Sequence, residues 1–153
     1  MLRLDGLRLR QGDFALAADL EVGSGVTAVI GPSGGGKSTL LSALAGFDVP
    51  LVPARRGVSL LFQDGNLFPH LSVARNVALA LTARRRVPPE VRHRVEAVLE
   101  RVGLAGLGDR RPAELSGGQR SRAALARVLL EDKPLVLLDE PGANLDHRSR
   151  RRL

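Results

Sequence analysis

Apolar and polar residues alternate along Leu2–Arg10 and again along Phe14–Val22, on either side of Gln11-Gly12-Asp13, which predicts an antiparallel β-hairpin. Val26–Ile30 is a short run, apolar but for Thr27, and predicts a strand, followed by a helix-forming run at Ser38–Ala45. A second apolar run, Val58–Phe62, comes after a Pro-rich connector at Phe47–Gly57. The pattern then turns helical at Leu71–Thr82 and Pro89–Val102, the latter opening on Pro88-Pro89-Glu90 and closing at Gly103. A helix over Gly117–Glu131 and a strand at Leu135–Asp139 complete the sequence of elements. Strands that alternate with helices predict an α/β fold with a mainly parallel sheet, preceded by the antiparallel hairpin and interrupted by a helical insert. There are no internal repeats and no low-complexity tract.

The first candidate chemistry lies between the run at Val26–Ile30 and the helix that follows it. Gly31-Pro32-Ser33-Gly34-Gly35-Gly36-Lys37-Ser38-Thr39 has the spacing of a phosphate-binding P-loop, in the strand, loop and helix context that the motif requires. Its glycines let successive N–H groups turn inward around phosphate oxygens at a helix N-terminus. Lys37 reaches the β- and γ-phosphates in such a loop, Ser38 places its hydroxyl on Mg²⁺, and Thr39 adds a further donor. A plain glycine turn is the bland alternative, but it does not account for Lys37 and Ser38 following an apolar run. No G-x-G-x-x-G occurs at this point, so a dinucleotide loop fits less well.

Leu135–Leu138 ends in Asp139-Glu140, which predicts a fully buried parallel strand delivering two carboxylates at its C-terminal edge, where open α/β sheets bind ligands. Asp139 is the candidate for holding Mg²⁺ through water, and Glu140 for taking a proton from the water that attacks the γ-phosphate. On its own, an acidic pair before Pro141 is ordinary turn chemistry. Leu115-Ser116-Gly117-Gly118-Gln119 has two compatible readings. Ser116 and Gln119 have the spacing of a capping box, and a helix N-terminus flanked by two glycines is also an anion site.

With these three motifs in this order, the chain resembles the ATPase subunits of ATP-binding cassette (ABC) transporters over nearly its whole length, Leu-Ser-Gly-Gly-Gln being that family's signature. The resemblance implies a P-loop NTPase core at 1–63 and 115–153 with a helical subdomain at 64–114. It makes Gln63 the glutamine that contacts Mg²⁺ and the attacking water. Ala143-Asn144-Leu145-Asp146 matches the family's D-loop, with Ala143 in place of the usual serine, and brings Asp146 to a dimer interface. Two copies then form a head-to-tail sandwich, in which Ser116, Gly118 and Gln119 of one chain complete the ATP site around Lys37, Ser38, Gln63 and Glu140 of the other. Asp64–Thr82 resembles the surface that receives a helix of the transmembrane permease, and a periplasmic solute-binding protein would act indirectly through that permease. The implied location is peripheral, on the cytoplasmic face of a bacterial inner membrane. In detail, Leu61–Phe68 and Arg111-Pro112-Ala113-Glu114 look most like the ATPase subunits of bacterial thiamine importers.

The sequence also departs from the family. The switch histidine lies on a further strand beyond the D-loop, and His147 stands too close to Asp146 to fill that role. The connector at Phe47–Gly57 is shorter than in relatives, and with no Tyr or Trp, Phe14 is the one candidate for stacking on adenine, core packing being at least as good a reading. These gaps predict a truncated chain with an under-covered apolar edge or face, and they leave a second reading: a remnant that binds ATP without efficient turnover. A DNA-repair or chromosome-structure ATPase would need a long coiled coil between its motifs, for which Asp64–Glu114 is too short.

Composition agrees with a single domain: 153 residues, 44% of them hydrophobic, can bury one core. No run approaches the roughly 20 apolar residues of a membrane span. The absence of cysteine excludes disulfides and thiolate metal sites. The net charge of +7 comes largely from Arg84-Arg85-Arg86 and Arg148–Arg152. With only four Phe and no other aromatic, these read as solvated surface, with no nucleic-acid partner.

Overall fold

The computed structural model describes residues 2–46, 57–61 and 66–139, without the Gln11 side chain. The chain divides into two compact units, Met1–Pro50 and Leu51–Leu153.

The first unit carries the expected hairpin. Strand β1 (Leu2–Gln11) pairs antiparallel with β2 (Phe14–Val22), from Leu2 opposite Val22 to Gln11 opposite Phe14. The two-residue turn starts with Gly12 at φ 59°, the left-handed half of backbone space that suits a tight hairpin. Register shifts between Leu4 and Leu7, where Gly6 also has positive φ and its N–H donates to the Asp19 carboxylate. Helix α1 (Lys37–Leu44) follows the P-loop and buries Leu40 on its inner side.

Between hairpin and helix the structure departs from the sequence reading. Residues 26–30 form no strand: Val26 is fully exposed and Ile30 is 90% exposed. A central strand is held by ladder bonds on both sides and by cover on both faces. In the first unit β1 and β2 pair with each other and offer this run neither.

In the second unit β3 (Val58–Leu61) and β4 (Leu135–Leu138) form a parallel pair with Val58 opposite Leu135 and Leu61 opposite Leu138. The α/β class with a parallel pair and an antiparallel N-terminal hairpin is as the sequence predicts. The fully buried β4 is not. Leu137 is 6% exposed, whereas Val136 and Leu138 are 43% and 40% exposed. Helix α4 (Gly117–Glu131) lays Ala124 and Val128 against Leu61, so the pair is covered on one face. Side chains alternate across a strand, so one-sided cover buries every second residue.

The helical part has the larger core. Val73 and Val77 of α2 (Val73–Ala78), Val95 and Leu99 of α3 (Pro89–Arg101), Leu104, and Ala123 and Ala126 of α4 pack into one buried cluster. Helix α2 is shorter than the expected 71–82. Ser72 caps it at the start, and after Ala78 the chain tightens into turns, Ala80 and Leu81 donating to the carbonyls of Val77 and Ala78. Helix α3 ends as the sequence predicts, with Gly103 at φ 69°. Gly103 N–H donates to Glu100 and Leu104 N–H to Leu99 in a Schellman arrangement that drives Leu104 into the core.

Candidate nucleotide site

The P-loop is shaped by its own backbone. Gly34 and Gly36 have φ of 76° and 80°, conformations that residues with a Cβ resist. Gly35 N–H donates to the Pro32 carbonyl at 3.1 Å, and a Cβ on Gly35 would sit 3.0 Å from that same oxygen. The Lys37 ammonium donates to the carbonyls of Gly31 at 3.1 Å and Pro32 at 2.8 Å, which draws the loop closed around its own cation. No side chain caps α1, since its N-cap is Gly36. The N–H groups of the first turn, around Ser38 and Thr39, are therefore left for a ligand. An uncapped N-terminus with a lysine at its mouth suits a polyphosphate.

Phe14 answers a question left open by its place in the strand. Its ring lies where a Cβ on Gly36 would run into it, so the hairpin end packs on the last glycine of the loop. This contact explains why position 36 has no side chain.

The signature segment is fully built. Ser116 Oγ accepts from Gln119 N–H at 3.2 Å, and Gln119 Oε1 accepts from Ser116 N–H at 2.8 Å, closing the capping box that the spacing predicts. Gly117 and Gly118, the first residues of α4, keep N–H groups with no acceptor inside the helix. Arg120 donates to the Leu115 carbonyl at 2.8 Å, and Leu115 itself is buried, which anchors the segment to the core. Asp139 stands half-buried just past the end of β4, its N–H donating to Leu61 at 2.9 Å. Gln63, Glu140 and Asp146 lie outside the described residues. His70 is exposed in the turn before Ser72, edge-on to Phe68.

Three functional-looking contacts had no place in the sequence reading. Asn76, on the inner face of α2, is wholly buried and bonded to the loop before it. A polar residue among Val73, Val77 and Ala78 was the available signal. Arg127 of α4 donates to the Asn66 carbonyl at 2.9 Å. Burial pushes its guanidinium below the ordinary value, which Glu131 opposes. Glu131 in turn accepts from the buried Ser59 hydroxyl of β3 at 2.5 Å. The Arg127–Asn66 and Ser59–Glu131 pairs are 61 and 72 positions apart, so no local pattern announces them.

The ABC transporter family profile matches residues 17–143. The thiamine import ATP-binding protein ThiQ of Cereibacter sphaeroides is 54% identical over 160 residues, an alignment covering 95% of this chain and 69% of that protein. ThiQ of Jannaschia sp. is 50% identical, with 100% of this chain and 73% of that protein covered. Among solved structures, a dimeric ATP-binding cassette in a post-hydrolysis state with ADP and Pi superposes with a TM-score of 0.78. That match has 27% identity and covers 96% of this chain and 76% of the other. A family profile matched over residues 17–143 and relatives at about half identity over nearly the whole chain make the chain a member of the ABC transporter family.

Proposed function

We propose that this chain is the ATP-hydrolysing subunit that energises a membrane importer for thiamine or a similar small solute. The observation that carries the reading is the pairing of a lysine-closed P-loop with a glycine-flanked, capped signature helix, in a chain about half identical to thiamine import ATP-binding proteins. Residues 31–39 hold the phosphates, and Lys37 leaves the carbonyls of Gly31 and Pro32 for the β- and γ-phosphates. Glu140 takes the proton from the attacking water, and Gln63 orients that water. Mg²⁺, which neutralises phosphate charge when bound, would be held by Ser38, Gln63 and Asp139. A second copy supplies Ser116, Gly118 and Gln119 head-to-tail, with Asp146 at the interface, so that ATP binding favours closure. The dimeric state of the similar cassette supports this arrangement.

In this reading 1–63 and 115–153 form the nucleotide core, and 64–114 is the helical subdomain that faces a transmembrane permease. A periplasmic solute-binding protein acts on the other side of that permease. The subunit sits peripherally on the cytoplasmic face of the membrane; no helix among the described residues is long and apolar enough to cross one.

A second reading, a cassette that binds ATP without efficient turnover, is favoured by the exposed run at 26–30, which leaves the P-loop without a strand in front of it. One experiment separates the two. Calorimetric ATP binding and Mg-ATP turnover are measured on the purified chain, on Lys37→Ala and on Glu140→Gln. The proposal expects turnover in the parent, a loss of about 10²–10⁴-fold in Glu140→Gln with binding kept, and no binding in Lys37→Ala. Binding without turnover in the parent selects the second reading, and a parent that binds no ATP overturns both.

A further inference from the structure

The loop over residues 66–72 is fastened to the rest of the second unit at more points than its exposure suggests. Asn76 is wholly buried, and its Oδ1 accepts from Phe68 N–H at 2.7 Å. Its Nδ2 faces the carbonyls of Phe68, Leu71 and Ser72 at 3.0, 3.2 and 3.1 Å. An amide has two N–H donors, so three acceptors mean that one hydrogen is shared and both donors are satisfied. At the other end of the loop, Arg127 holds the carbonyl of Asn66, a residue in the left-handed region at φ 46°. The middle of the loop is left outward: Phe68 is 46% exposed, with His70 edge-on to it at a centroid distance of 6.0 Å.

Two routes lead from this loop to the signature motif. Arg127 lies on α4, whose first turn is the motif itself. Helix α2, which carries Asn76, donates its first two N–H groups, Val73 and Ala74, to the carbonyls of Arg110 at 2.7 Å and Gly108 at 2.8 Å. These belong to the segment that runs through the 3-10 turn Pro112–Glu114 into the buried Leu115 and then Ser116. Backbone and side-chain bonds thus tie one exposed loop to both sides of the Ser116 cap.

We propose that Asn76 and Arg127 are positioning residues that couple the Phe68–His70 surface to the signature helix, so that whatever loads this loop shifts the γ-phosphate site that Ser116–Gln119 completes. The proposal rests on the reading of this surface as the permease contact. Coupling of this kind is reciprocal: nucleotide at the signature changes permease affinity by the factor that permease changes nucleotide affinity.

The chain has no Trp and no Tyr, so Phe68→Trp makes one indole the sole reporter on the loop. In that background, Arg127→Ala and Asn76→Asp are expected to lower the indole's anisotropy while circular dichroism shows the fold intact. Unchanged anisotropy in the folded Arg127→Ala protein overturns the anchoring, whatever becomes of the buried Asn76. The second arm measures affinity for the permease of the Cereibacter sphaeroides thiamine importer, with and without a non-hydrolysable ATP analogue. Arg127→Ala should reduce the nucleotide-dependent change in affinity by about 2- to 30-fold, the range for residues lying between two coupled sites. Arg127→Lys, which keeps a donor for Asn66, should restore the effect. An unaltered nucleotide-dependent change in a variant whose loop is released overturns the link. A parent that binds the analogue but not the permease overturns the permease reading instead, and the anisotropy arm tells that failure from failure of the anchoring.

Discussion

The P-loop and the signature segment are both glycine-rich entries to a helix, yet they are held in different ways. Ahead of α4, Ser116 and Gln119 satisfy each other's backbone N–H groups, and Leu115, Ala123 and Ala126 sink into a core shared with α2 and α3. Ahead of α1, Gly36 has no side chain to offer as a cap, and the loop is closed by Lys37 reaching back to two carbonyls. Before that loop, residues 26–30 run without ladder or cover. Motifs completed by neighbours three or four residues away are finished locally. A motif that needs strands from distant parts of the chain is finished only when those strands pair beside it.

This contrast predicts unequal responses to mutation. The largest effect is expected at Leu104, wholly buried where α3 ends. Leu104→Ala should cost about 2–5 kcal/mol, from lost burial plus a cavity, read as a lower denaturant midpoint. A smaller loss would show the second unit's core to be loosely packed and weaken the comparison. Next comes Ser116→Ala, which removes the acceptor for Gln119 N–H and should cost about 1 kcal/mol in the same assay. A cost near zero would mean that Gly117 and Gly118 already leave the helix start frayed. The smallest effect is expected at the exposed run. Ile30→Thr should change stability by less than about 0.5 kcal/mol, as for a solvated side chain away from any packing. A loss of several times that size would mean that the run packs as a strand in solution and would remove the contrast between the two regions.

Much of this organisation was legible in the chain itself. The hairpin followed from two alternating runs around Gln11-Gly12-Asp13, the end of α3 from Gly103, and the start of α4 from the spacing of Ser116 and Gln119. Each depends on backbone conformations and hydrogen bonds that close within a few residues, or across one short turn, so a local pattern suffices. The limits of the apolar runs were less legible. The run at 26–30 read as a strand and Leu135–Leu138 as a fully buried one, but hydrophobicity states only that cover would be favourable, not which element supplies it.

The sequence by itself determined the motifs, their order, the membership of the ABC transporter family, the end of α3 and the capped start of α4. Tertiary structure alone decided that β4 is covered on one face, that Phe14 packs on Gly36, and that Arg127 fastens the loop at Asn66. Those facts depend on contacts such as Arg127 to Asn66 and Ser59 to Glu131, between residues separated by 61 and 72 positions. Contacts at that separation form only after the chain has folded back on itself, and no local rule of spacing encodes them.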